Sequence, residues 1–236
     1  EHKRMEGIKD DFVSTVSHEL RTPLTSINGS IVLLLSGKQG QFTEKATRLL
    51  SLANRNTTRL LALINDLLDI QKMLAGEMDY DFKSIDLAAL LEKAVEENAH
   101  YAEQYHIKFT ITENTPVTVH ADEQRIMQVM GNLLSNAVKF SEADTHVEVS
   151  LTQDDNFAIV KVTDHGHGIP ESFHEQLFER FTQADSSDTR QKGGTGLGLT
   201  ITKSIIEQHD GSISFDTKLG VGTTFSFQLP ILSDKD

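Results

Sequence analysis

Hydrophobic positions in the first third of the chain repeat with a helical period. Two long helices are predicted, one from about residue 3 to 36 and one from Thr43 to about Leu74, with the loop SGKQGQ between them. Two antiparallel helices of this length cannot enclose a core alone, so the pattern predicts a four-helix bundle formed by two copies of the chain. Gly76 is the predicted end of this part. The apolar row of the second helix comprises Leu49, Leu52, Ala53, Asn56, Leu60, Leu63, Ile64, Leu67 and Leu74.

The pattern then changes to alternating strands and shorter helices. Strands are predicted over residues 81–87, 107–114, 146–153 and 157–164, and a final hairpin over 211–230. Helices are predicted over residues 87–105, 122–140 and about 197–209, while the glycine-rich stretch 164–198 shows little regular pattern except EQLFERF. The second part is therefore predicted to be a two-layer α/β sandwich, an antiparallel or mixed sheet with helices on one face. The whole fold class is α plus α/β.

Composition narrows the possible functions. Of 236 residues, 38% are hydrophobic and 24% are charged, which is typical of a soluble globular protein. A formal net charge of −13 argues against nucleic acid or an anionic membrane as the main partner. The absence of cysteine excludes disulfides, zinc–thiolate sites and thiol catalysis. No long apolar run occurs, and the chain begins without methionine. We therefore expect a cytoplasmic fragment of a longer protein, and a membrane anchor elsewhere in that protein is compatible with this sequence.

The segment SHELRTPL places a histidine on the open face of the first helix. On a helical wheel the surrounding apolar side chains fall between about 120° and 240° from His18, which therefore points away from them. Thr22 follows one turn later on the same face. Pro23 cannot donate to the carbonyl of Glu19, so a bend is predicted there. A surface histidine beside an incidental kink is one interpretation and would be preferred for a lone histidine. Because the histidine, the acid, the threonine and the kink occur together, a functional group that faces outwards is the other interpretation, and this segment alone leaves the question open.

Three polar residues share one face of the predicted helix 122–140. Asn132, Asn136 and Lys139 fall within about 60° of one another, directly beside the apolar stripe. Amide oxygens suit Mg²⁺ and an ammonium group neutralises phosphate oxygens, so one interpretation is a site for a metal–phosphate group. The other interpretation is an ordinary solvated face, which more often carries Glu, Lys and Gln. This helix alone does not decide between them.

Two glycine-rich stretches follow. In VTDHGHGIP a predicted strand ends at Asp164, and Gly166 and Gly168 complete a D-x-G-x-G pattern. A carboxylate there can accept a hydrogen bond from an exocyclic amine beside a flat ring, although a plain glycine turn is the alternative. GGTGLGL at 193–199 leads into the last helix and forms a potential anion site. It is not a Walker loop, because no Gly-Lys-Ser/Thr follows, and it lacks the strand–helix–strand context of a dinucleotide fold.

The order of the motifs is more specific than any one motif. SHELRTPL, NLLSNAVKF, DHGHG, LFERF and GTGLGL follow one another as in sensor histidine kinases, a family that the chain resembles over essentially its whole length. The resemblance implies a dimerisation and histidine-phosphotransfer domain over residues 1–78. It implies a catalytic ATP-binding domain of the Bergerat type, shared with gyrase and the Hsp90 chaperones, over residues 79–236. The stretch FERFTQADSSDTRQKGGTGLGL is most similar to kinases linked to PAS or related sensory modules, including hybrid kinases.

For the first domain, the resemblance implies a phosphoacceptor and two residues that assist it. His18 is the implied phosphoacceptor, and Glu19 the group that accepts or orients the imidazole proton. Thr22 completes an H-E-x-x-T pattern, which in this family positions water for dephosphorylation of a response regulator; a surface threonine is the alternative. The implied partners are a second copy of the chain, the receiver domain of a response regulator and an upstream sensory module, without nucleic acid.

For the second domain, the resemblance implies ATP and Mg²⁺ as cofactors. Asn136 is the implied Mg²⁺ ligand, with Asn132 beside it and Lys139 on phosphate. Asp164 is implied to accept the adenine amine. The implied pocket and its mobile lid are shaped by Gly166, Gly168, Gly194, Gly196 and Gly198. The phenylalanines implied to anchor the lid are Phe178 and Phe181, and the lid cations implied to reach the γ-phosphate are Arg190 and Lys192. Leu197 and Leu199 are expected to pack in the core at the start of the last helix.

Three positions depart from related sequences. Gyrase-like relatives carry a glutamate at the position of Asn132, where it activates water, so this chain lacks that base and fits transfer to histidine instead. His165 stands where the family usually has asparagine, which puts details of the nucleotide pocket in doubt. Gln183 occupies a position at which some relatives have arginine.

The predicted function is ATP-dependent autophosphorylation of His18, followed by transfer to an aspartate of a response regulator and by phosphatase activity towards that regulator. One alternative is a Bergerat-type ATPase that drives conformational change, which Asn132 and the motif around His18 disfavour. The other is a non-catalytic dimeric signalling scaffold. The intact motifs around Asn136 and Asp164 disfavour the scaffold, although His165 leaves room for it.

Overall fold

The computed structural model describes residues 20–37, 40, 42–179, 182 and 196–232. The chain divides into two compact units, Glu1–Met78 (unit 1) and Asp79–Asp236 (unit 2). Among the described residues, unit 1 is helical and every strand belongs to unit 2. No described helix is both long enough and apolar enough to cross a membrane.

Unit 1 consists of two helices joined by a short loop. The first, α1, occupies residues 20–35, and the second, α2, is Glu44–Ala75. Thr43 caps α2, because its side chain accepts a hydrogen bond from a backbone N–H of the first turn. Gly76 ends α2 in the left-handed conformation, with φ of 68°, as glycine does at many helix ends. Both ends of α2 agree with the predicted ones, and the predicted start of α1 lies outside the described residues.

Side-chain hydrogen bonds connect the two helices. Arg21 donates to Oδ1 of Asn65 through Nε at 3.0 Å and Nη2 at 2.8 Å. Further along α1, Asn28 accepts a hydrogen bond from Thr58 at 3.4 Å. Arg21 bonds to residue 65, whereas Asn28, later on α1, bonds to residue 58, earlier on α2. The two helices are therefore antiparallel. Pro23 lies within α1, and helical conformation continues on both sides of it.

Unit 2 combines a mixed sheet with three helices. The elements are β1 Lys83–Asp86, α3 Leu87–Glu103, β2 Lys108–Asn114, β3 Thr118–Ala121, α4 Glu123–Phe140, β4 His146–Gln153, β5 Phe157–Asp164, α5 Gly198–Gln208, β6 Ser212–Lys218 and β7 Gly222–Pro230. The main sheet has the order β2-β4-β5-β7-β6. Only β2 and β4 are parallel within it, because the chain crosses over through β3 and α4 between them. The predicted two-layer sandwich is confirmed.

The strand β3 was not predicted. It pairs with β1 in a separate two-stranded sheet, with Val119 opposite Ile85. Four residues following Pro116 are too short to show a clear alternation, and their partner strand lies more than thirty residues earlier. Pairing between distant segments, rather than local periodicity, therefore creates this element.

Alternating burial shows which face of the sheet the helices cover. On β4 the side chains of Val147, Val149 and Leu151 are fully buried. The alternate residues of the strand, which include His146 and Glu148, are exposed or half-buried. On β5 the buried set ends at Asp164. Side chains alternate between the two faces of a strand, so Asp164 belongs to the helix-covered face and His146 and Glu148 to the open face.

Candidate functional site

The polar row of α4 runs along the edge of its buried stripe. Asn132, Asn136 and Lys139 are each half-buried and lie on successive turns. Asp122 starts the helix, because its Oδ1 accepts the backbone N–H of Arg125 at 3.1 Å. The apolar residues of α4 fix its rotation by packing into the core. The predicted arrangement, three polar side chains directly beside the core stripe, is therefore present.

The end of α4 meets the glycine-rich loop that follows β5. Ser141, directly after the helix, forms an isolated antiparallel bridge with Gly166. A Cβ atom at Gly166 would collide with the carbonyl oxygen of Phe140, so this close approach requires glycine. Asp164 precedes Gly166 by two residues, and the bridge therefore places it near the helix that carries Asn136.

Asp164 is a buried carboxylate with hydrogen-bonding capacity to spare. Its side chain is 5% exposed, and its Oδ1 accepts the backbone N–H of Gly166 at 2.9 Å. Burial raises the pKa of Asp164, while hydrogen bonds from the backbone N–H groups of Gly166 and Thr223 act in the opposite direction. An ionised carboxylate has about four lone-pair positions. It can therefore accept a hydrogen bond from a further donor, such as an amine.

Asn132 connects α4 to the start of α5. Its Nδ2 donates to the carbonyl of Gly198 at 3.2 Å and to Thr202 Oγ1 at 3.4 Å. Gly198 begins α5, so the glycine motif GTGLGL leads into a helix terminus beside the polar row. Gly196 has φ of 70°, and Leu197 is 1% exposed. Of the two leucines expected in the core, Leu197 is buried, whereas Leu199 is half-buried.

Phe178 is fixed against the start of α5. Its carbonyl accepts a hydrogen bond from Thr200 Oγ1 at 2.9 Å. The Lys203 ammonium lies 5.8 Å from the centroid of its ring, and the ring of Phe215 lies 6.0 Å away. Residues 175–179, the described part of EQLFERF, form turns and a bend rather than an α-helix, and they follow a 3₁₀ turn at Glu171–Phe173.

Several predicted site residues lie outside the described residues. Thr22 is described, and its side chain is exposed on α1. Of the other predicted site residues, the structure brings together the polar row of α4, the start of α5 and the loop after Asp164. The residues outside the described ones are His18, Glu19, Phe181, Gln183, Arg190, Lys192, Gly193 and Gly194.

His165, the departure from the family pattern, faces away from this site. Its Nε2 lies 3.3 Å from Oε1 of Glu148, on the open face of the sheet. The side chain of Asp164 is buried on the opposite face. Consecutive residues at the end of a strand point in opposite directions. The concern that His165 alters the side chains lining the pocket beside Asp164 is therefore not supported by the geometry.

Two residues of β7 that hold Asp164 were missed by the sequence interpretation. Thr223 lies opposite Asp164 in the sheet, and its N–H bonds to the Asp164 carboxylate. A Cβ atom at Gly222 would collide with the carbonyl oxygen of Asp164. The sequence signal was the G-x-G of LGVGTT, which predicted only a hairpin turn. Gly168 likewise has φ of 73°, and a Cβ there would collide with the carbonyl oxygen of Lys218.

Comparison with protein families assigns both units. Residues 8–76 match the His Kinase A (phospho-acceptor) domain. Residues 121–233 match the family of histidine kinase-, DNA gyrase B- and HSP90-like ATPases. The second match contains the polar row of α4, Asp164 and the start of α5.

Individual proteins agree with both matches. The chain is 39% identical over 226 residues to the circadian input-output histidine kinase CikA of Synechococcus elongatus, covering 94% of this chain and 30% of that protein. It is 34% identical over 241 residues to the sensor histidine kinase WalK of Bacillus subtilis, covering 100% of this chain and 39% of that protein. The chain thus spans less than half the length of either relative.

Solved structures have the same fold. The crystal structure of full-length ShkA in complex with AMPPNP matches with a TM-score of 0.76 and 28% identity, covering 94% of this chain and 46% of that one. The mycobacterial sensor histidine kinase MprB matches with a TM-score of 0.56 and 29% identity, covering 64% of this chain and 98% of that one. With its phospho-acceptor helices and its ATPase fold in this order, the chain belongs to the sensor histidine kinase family and carries the transmitter core of that family.

Proposed function

We propose that this chain transfers the γ-phosphoryl group of ATP to His18 and then to an aspartate on the receiver domain of a response regulator. The observation that carries the proposal is the continuous polar row of α4. It begins at Asn132 beside the start of α5, passes Asn136 and Lys139, and ends at the bridge to the Asp164 loop. Such a row offers contacts to both ends of one nucleotide.

The base of ATP would bind at Asp164. The carboxylate is buried and already accepts two backbone N–H groups, yet it retains lone pairs for the adenine amine. Gly166 and Gly222 permit close backbone approach on both sides of it. A buried charge of this kind costs stability unless donors satisfy it, which supports a ligand-binding role for Asp164.

Asn136 and Lys139 would hold Mg²⁺ and phosphate. Among the described residues, groups of three or more His, Asp or Glu ligands occur only at His146, Glu148 and His165, so carboxylates do not surround Asn136. An amide oxygen beside a lysine nevertheless fits Mg²⁺, which usually keeps several waters and binds through one or two protein groups and the substrate phosphates. When bound, the ion would neutralise phosphate charge, and Lys139 would add a second cation.

The chemical step would form a phosphorus–nitrogen bond at His18. A neutral ring nitrogen attacks the γ-phosphorus, the bond from phosphorus to the β,γ-bridging oxygen breaks, and ADP leaves with its electron pair. Glu19 accepts the proton from the other ring nitrogen. Arg190 and Lys192 would offset the charge on the transferred group.

The contacts of Asn132 argue against simple ATP hydrolysis. Its amide nitrogen donates to α5, and an amide cannot accept a proton from water as a carboxylate can. We therefore expect Asn132 to position the start of α5 rather than to activate water. Transfer to a protein nucleophile is the favoured outcome.

The active species would be a homodimer built by unit 1. On α2, Leu49, Leu60 and Leu74 are 60%, 46% and 52% exposed, and all three belong to the predicted apolar row. On α1, Ile27 is 49% exposed within the predicted stripe. Exposed apolar side chains aligned along one face of a helix support a protein–protein interface, and a second helical pair would cover them in a four-helix bundle.

Thr22 would give the protein a second activity. Its exposed position on α1 leaves it accessible to a partner. One turn after His18, it would position water for dephosphorylation of the response regulator. An upstream sensory module would choose between kinase and phosphatase activity. WalK and CikA are considerably longer than this chain, which leaves room for such a module in the whole protein.

The proposal is tested by incubating the chain with γ-labelled ATP and Mg²⁺. We expect label on the protein that acid removes and base does not. An ATPase would release labelled phosphate without labelling the chain, and a scaffold would do neither. Asn136→Ala should abolish labelling. Ser135→Ala, its half-buried neighbour on α4, should retain it and so control for damage to the helix.

A further inference from the structure

Two histidines and one glutamate form a cluster on the open face of the sheet in unit 2. His146 and Glu148 lie on β4, two residues apart, so their side chains share a face. His165 follows the end of β5, the antiparallel neighbour of β4, and the pairing of Glu148 with Thr163 brings it beside His146. Three side chains to which the proposed kinase mechanism gives no role are therefore adjacent.

The ligand atoms of the cluster lie close together. Oε1 of Glu148 is 3.0 Å from Nε2 of His146 and 3.3 Å from Nε2 of His165. The two imidazole rings have centroids 4.8 Å apart. One ligand atom from each residue lies within 4.8 Å of the others. Within the described part of the chain, His, Asp and Glu side chains form such a group at this place alone.

These distances match a tetrahedral metal site. Zn²⁺ binds histidine nitrogen and carboxylate oxygen at about 2.0–2.2 Å, and the corners of a tetrahedron of that radius are about 3.3–3.6 Å from one another. Two of the three pairs are therefore near the required spacing without movement of the backbone. A rotation of exposed side chains is enough for the third, since both histidines are substantially exposed, at 52% and 40%.

The donor set selects the kind of metal. Imidazole suits Zn²⁺, Cu²⁺, Ni²⁺ and Fe²⁺, whereas Mg²⁺ and Ca²⁺ prefer oxygen ligands. The chain has no cysteine, so a soft thiolate site is absent from the whole sequence. Oε1 of Glu148 lies within hydrogen-bonding distance of Nε2 of both histidines, so one carboxylate oxygen faces both imidazole rings. Lys108 lies opposite His146 on the neighbouring strand β2. Because its side chain is exposed, the ammonium group can point into solvent and need not repel a bound cation.

We propose that His146, Glu148 and His165 form a binding site for a divalent transition-metal ion, with Zn²⁺ as the expected occupant, and that water completes the coordination. The site lies on the open face of the sheet, opposite the side chain of Asp164. It is separate from the Mg²⁺ position proposed at Asn136. The proposal does not depend on kinase activity.

The test is a titration of the chain, without a histidine tag, with Zn²⁺ in competition with a chromophoric chelator. We expect one tight site per chain. His165→Asn, His146→Asn and Glu148→Gln should each weaken the affinity at least about tenfold, because each removes one of three ligands. Substituting Co²⁺ for Zn²⁺ should give visible absorption bands of a four-coordinate ion, which each variant should lose. Melting of the metal-free variants near that of the parent chain would show that they fold.

His100→Asn is the matched control. His100 is an exposed histidine whose Nδ1 lies 3.8 Å from Oε2 of Glu103, but it belongs to no group of three such ligands among the residues that the structure describes. This variant should bind Zn²⁺ with an affinity within about twofold of the parent's. The proposal is overturned if the parent binds Zn²⁺ no more tightly than about 100 μM, which is about −5.5 kcal/mol. It is equally overturned if the three cluster variants bind as the parent does.

Discussion

The two units differ in how completely they bury their apolar side chains. In unit 2, residues such as Leu91, Ile126 and Leu134 are fully buried, and one chain completes the core. In the described part of unit 1, large apolar residues such as Ile27 and Leu49 are half exposed or more. A core of close-packed side chains is the main source of stability for a single domain. One chain is therefore sufficient to enclose the core of unit 2, whereas the exposed apolar side chains of unit 1 agree with the proposal that a second copy covers them.

The positions of the functional groups follow the same division. Asp164 is buried and Asn136 is half-buried in unit 2, where a nucleotide would be partly removed from water. Thr22 is exposed on a helix of unit 1, where another protein can reach it. This difference agrees with the proposed division of roles, in which unit 2 would bind the nucleotide and unit 1 would meet the protein partners.

The largest expected effect is loss of the dimer in Leu60→Asp. Each dimer would lose the burial of two half-exposed leucines and would gain two charges in an apolar interface. By two-fold symmetry the costs add, and we expect the dissociation constant to rise at least about 100-fold. Sedimentation over a range of concentrations measures this, while melting of unit 2 should stay unchanged. The three tyrosines, Tyr80, Tyr101 and Tyr105, all lie in unit 2 and report its melting by near-ultraviolet circular dichroism.

Ala62→Asp is the control for this variant. Ala62 is an exposed residue on the same helix, and on a helical wheel it lies on the side opposite the apolar row. The same charge there should leave the dimer intact. Equal dissociation of both variants would show that the effect comes from charge on α2 in general, and an intact Leu60→Asp dimer would contradict the proposed interface.

The second largest effect concerns Asp164→Asn in unit 2. Loss of a charged hydrogen-bond acceptor should weaken nucleotide binding about 10–100-fold. Burial raises the pKa of Asp164, so its ionised form is disfavoured in the folded protein and the neutral amide should not lower stability at pH 7. Calorimetric titration with an ATP analogue and thermal melting separate the two results.

Asp154→Asn should show the opposite behaviour. Its carboxylate accepts the N–H groups of Asn156 and Phe157 at 2.9 and 2.8 Å, which lowers its pKa. Replacing it should slightly reduce stability above the ordinary aspartate pKa and leave nucleotide binding unchanged. Marked unfolding of Asp164→Asn, or unimpaired nucleotide binding by it, would remove the proposed role of Asp164.

A smaller effect is expected for Thr22→Ala in unit 1. The variant should autophosphorylate at the parental rate but dephosphorylate a phosphorylated response regulator at least about tenfold more slowly, since positioned groups of this kind contribute 10²–10⁴-fold. Thr25→Ala, three residues later on the same helix, controls for changes in α1. Equal dephosphorylation by Thr22→Ala and the parent would leave Thr22 with a structural role.

The smallest effect is a pH dependence of unit 2 that arises from His209. Burial lowers its pKa; in the neutral form Nδ1 donates to the Ile205 carbonyl at 2.7 Å and Nε2 accepts the Asp122 N–H at 3.0 Å. The unfolded chain therefore binds the proton first as the pH falls. The stability from neutral His209 is complete above about pH 6.5 and is lost as the pH falls towards the lower pKa of the folded state.

The measurement compares melting of His209→Gln and the parent at pH 7.5 and 5.5. The decrease in melting temperature between these pH values should be about 2–4 °C smaller in the variant. His100→Gln, at an exposed histidine, should behave as the parent. An equally steep decrease in His209→Gln would show that other groups cause the acid sensitivity.

Local pattern was sufficient to predict much of the fold. The helix α4 was predicted because Asp122 caps it and because its apolar residues recur with a helical period. The hairpin of β4 and β5 was predicted because its strands alternate and a turn of polar residues joins them. These signals lie within one element, so the sequence contains them directly.

Contacts between distant elements could not be predicted in the same way. The sequence identified Asp164 but not Thr223, which pairs with it from a strand about sixty residues later. It suggested that His165 alters the nucleotide pocket, whereas strand alternation directs this side chain to the open face. The sequence indicated that Asn132 belongs to a phosphate site. The hydrogen bonds of Asn132 to Gly198 and Thr202, however, depend on how α4 and α5 pack. Such relations follow from tertiary packing, which periodicity does not specify.

The most direct test of the account is to compare the parent with His18→Gln in parallel labelling and binding experiments. With γ-labelled ATP and Mg²⁺ the parent should acquire acid-labile, base-stable label. His18→Gln should acquire none, although it binds an ATP analogue with an affinity within about twofold of the parent's, because binding depends on unit 2 and acceptance on unit 1. Persistent acid-labile label on His18→Gln would contradict the assignment of the phosphoacceptor and the division of roles between the two units.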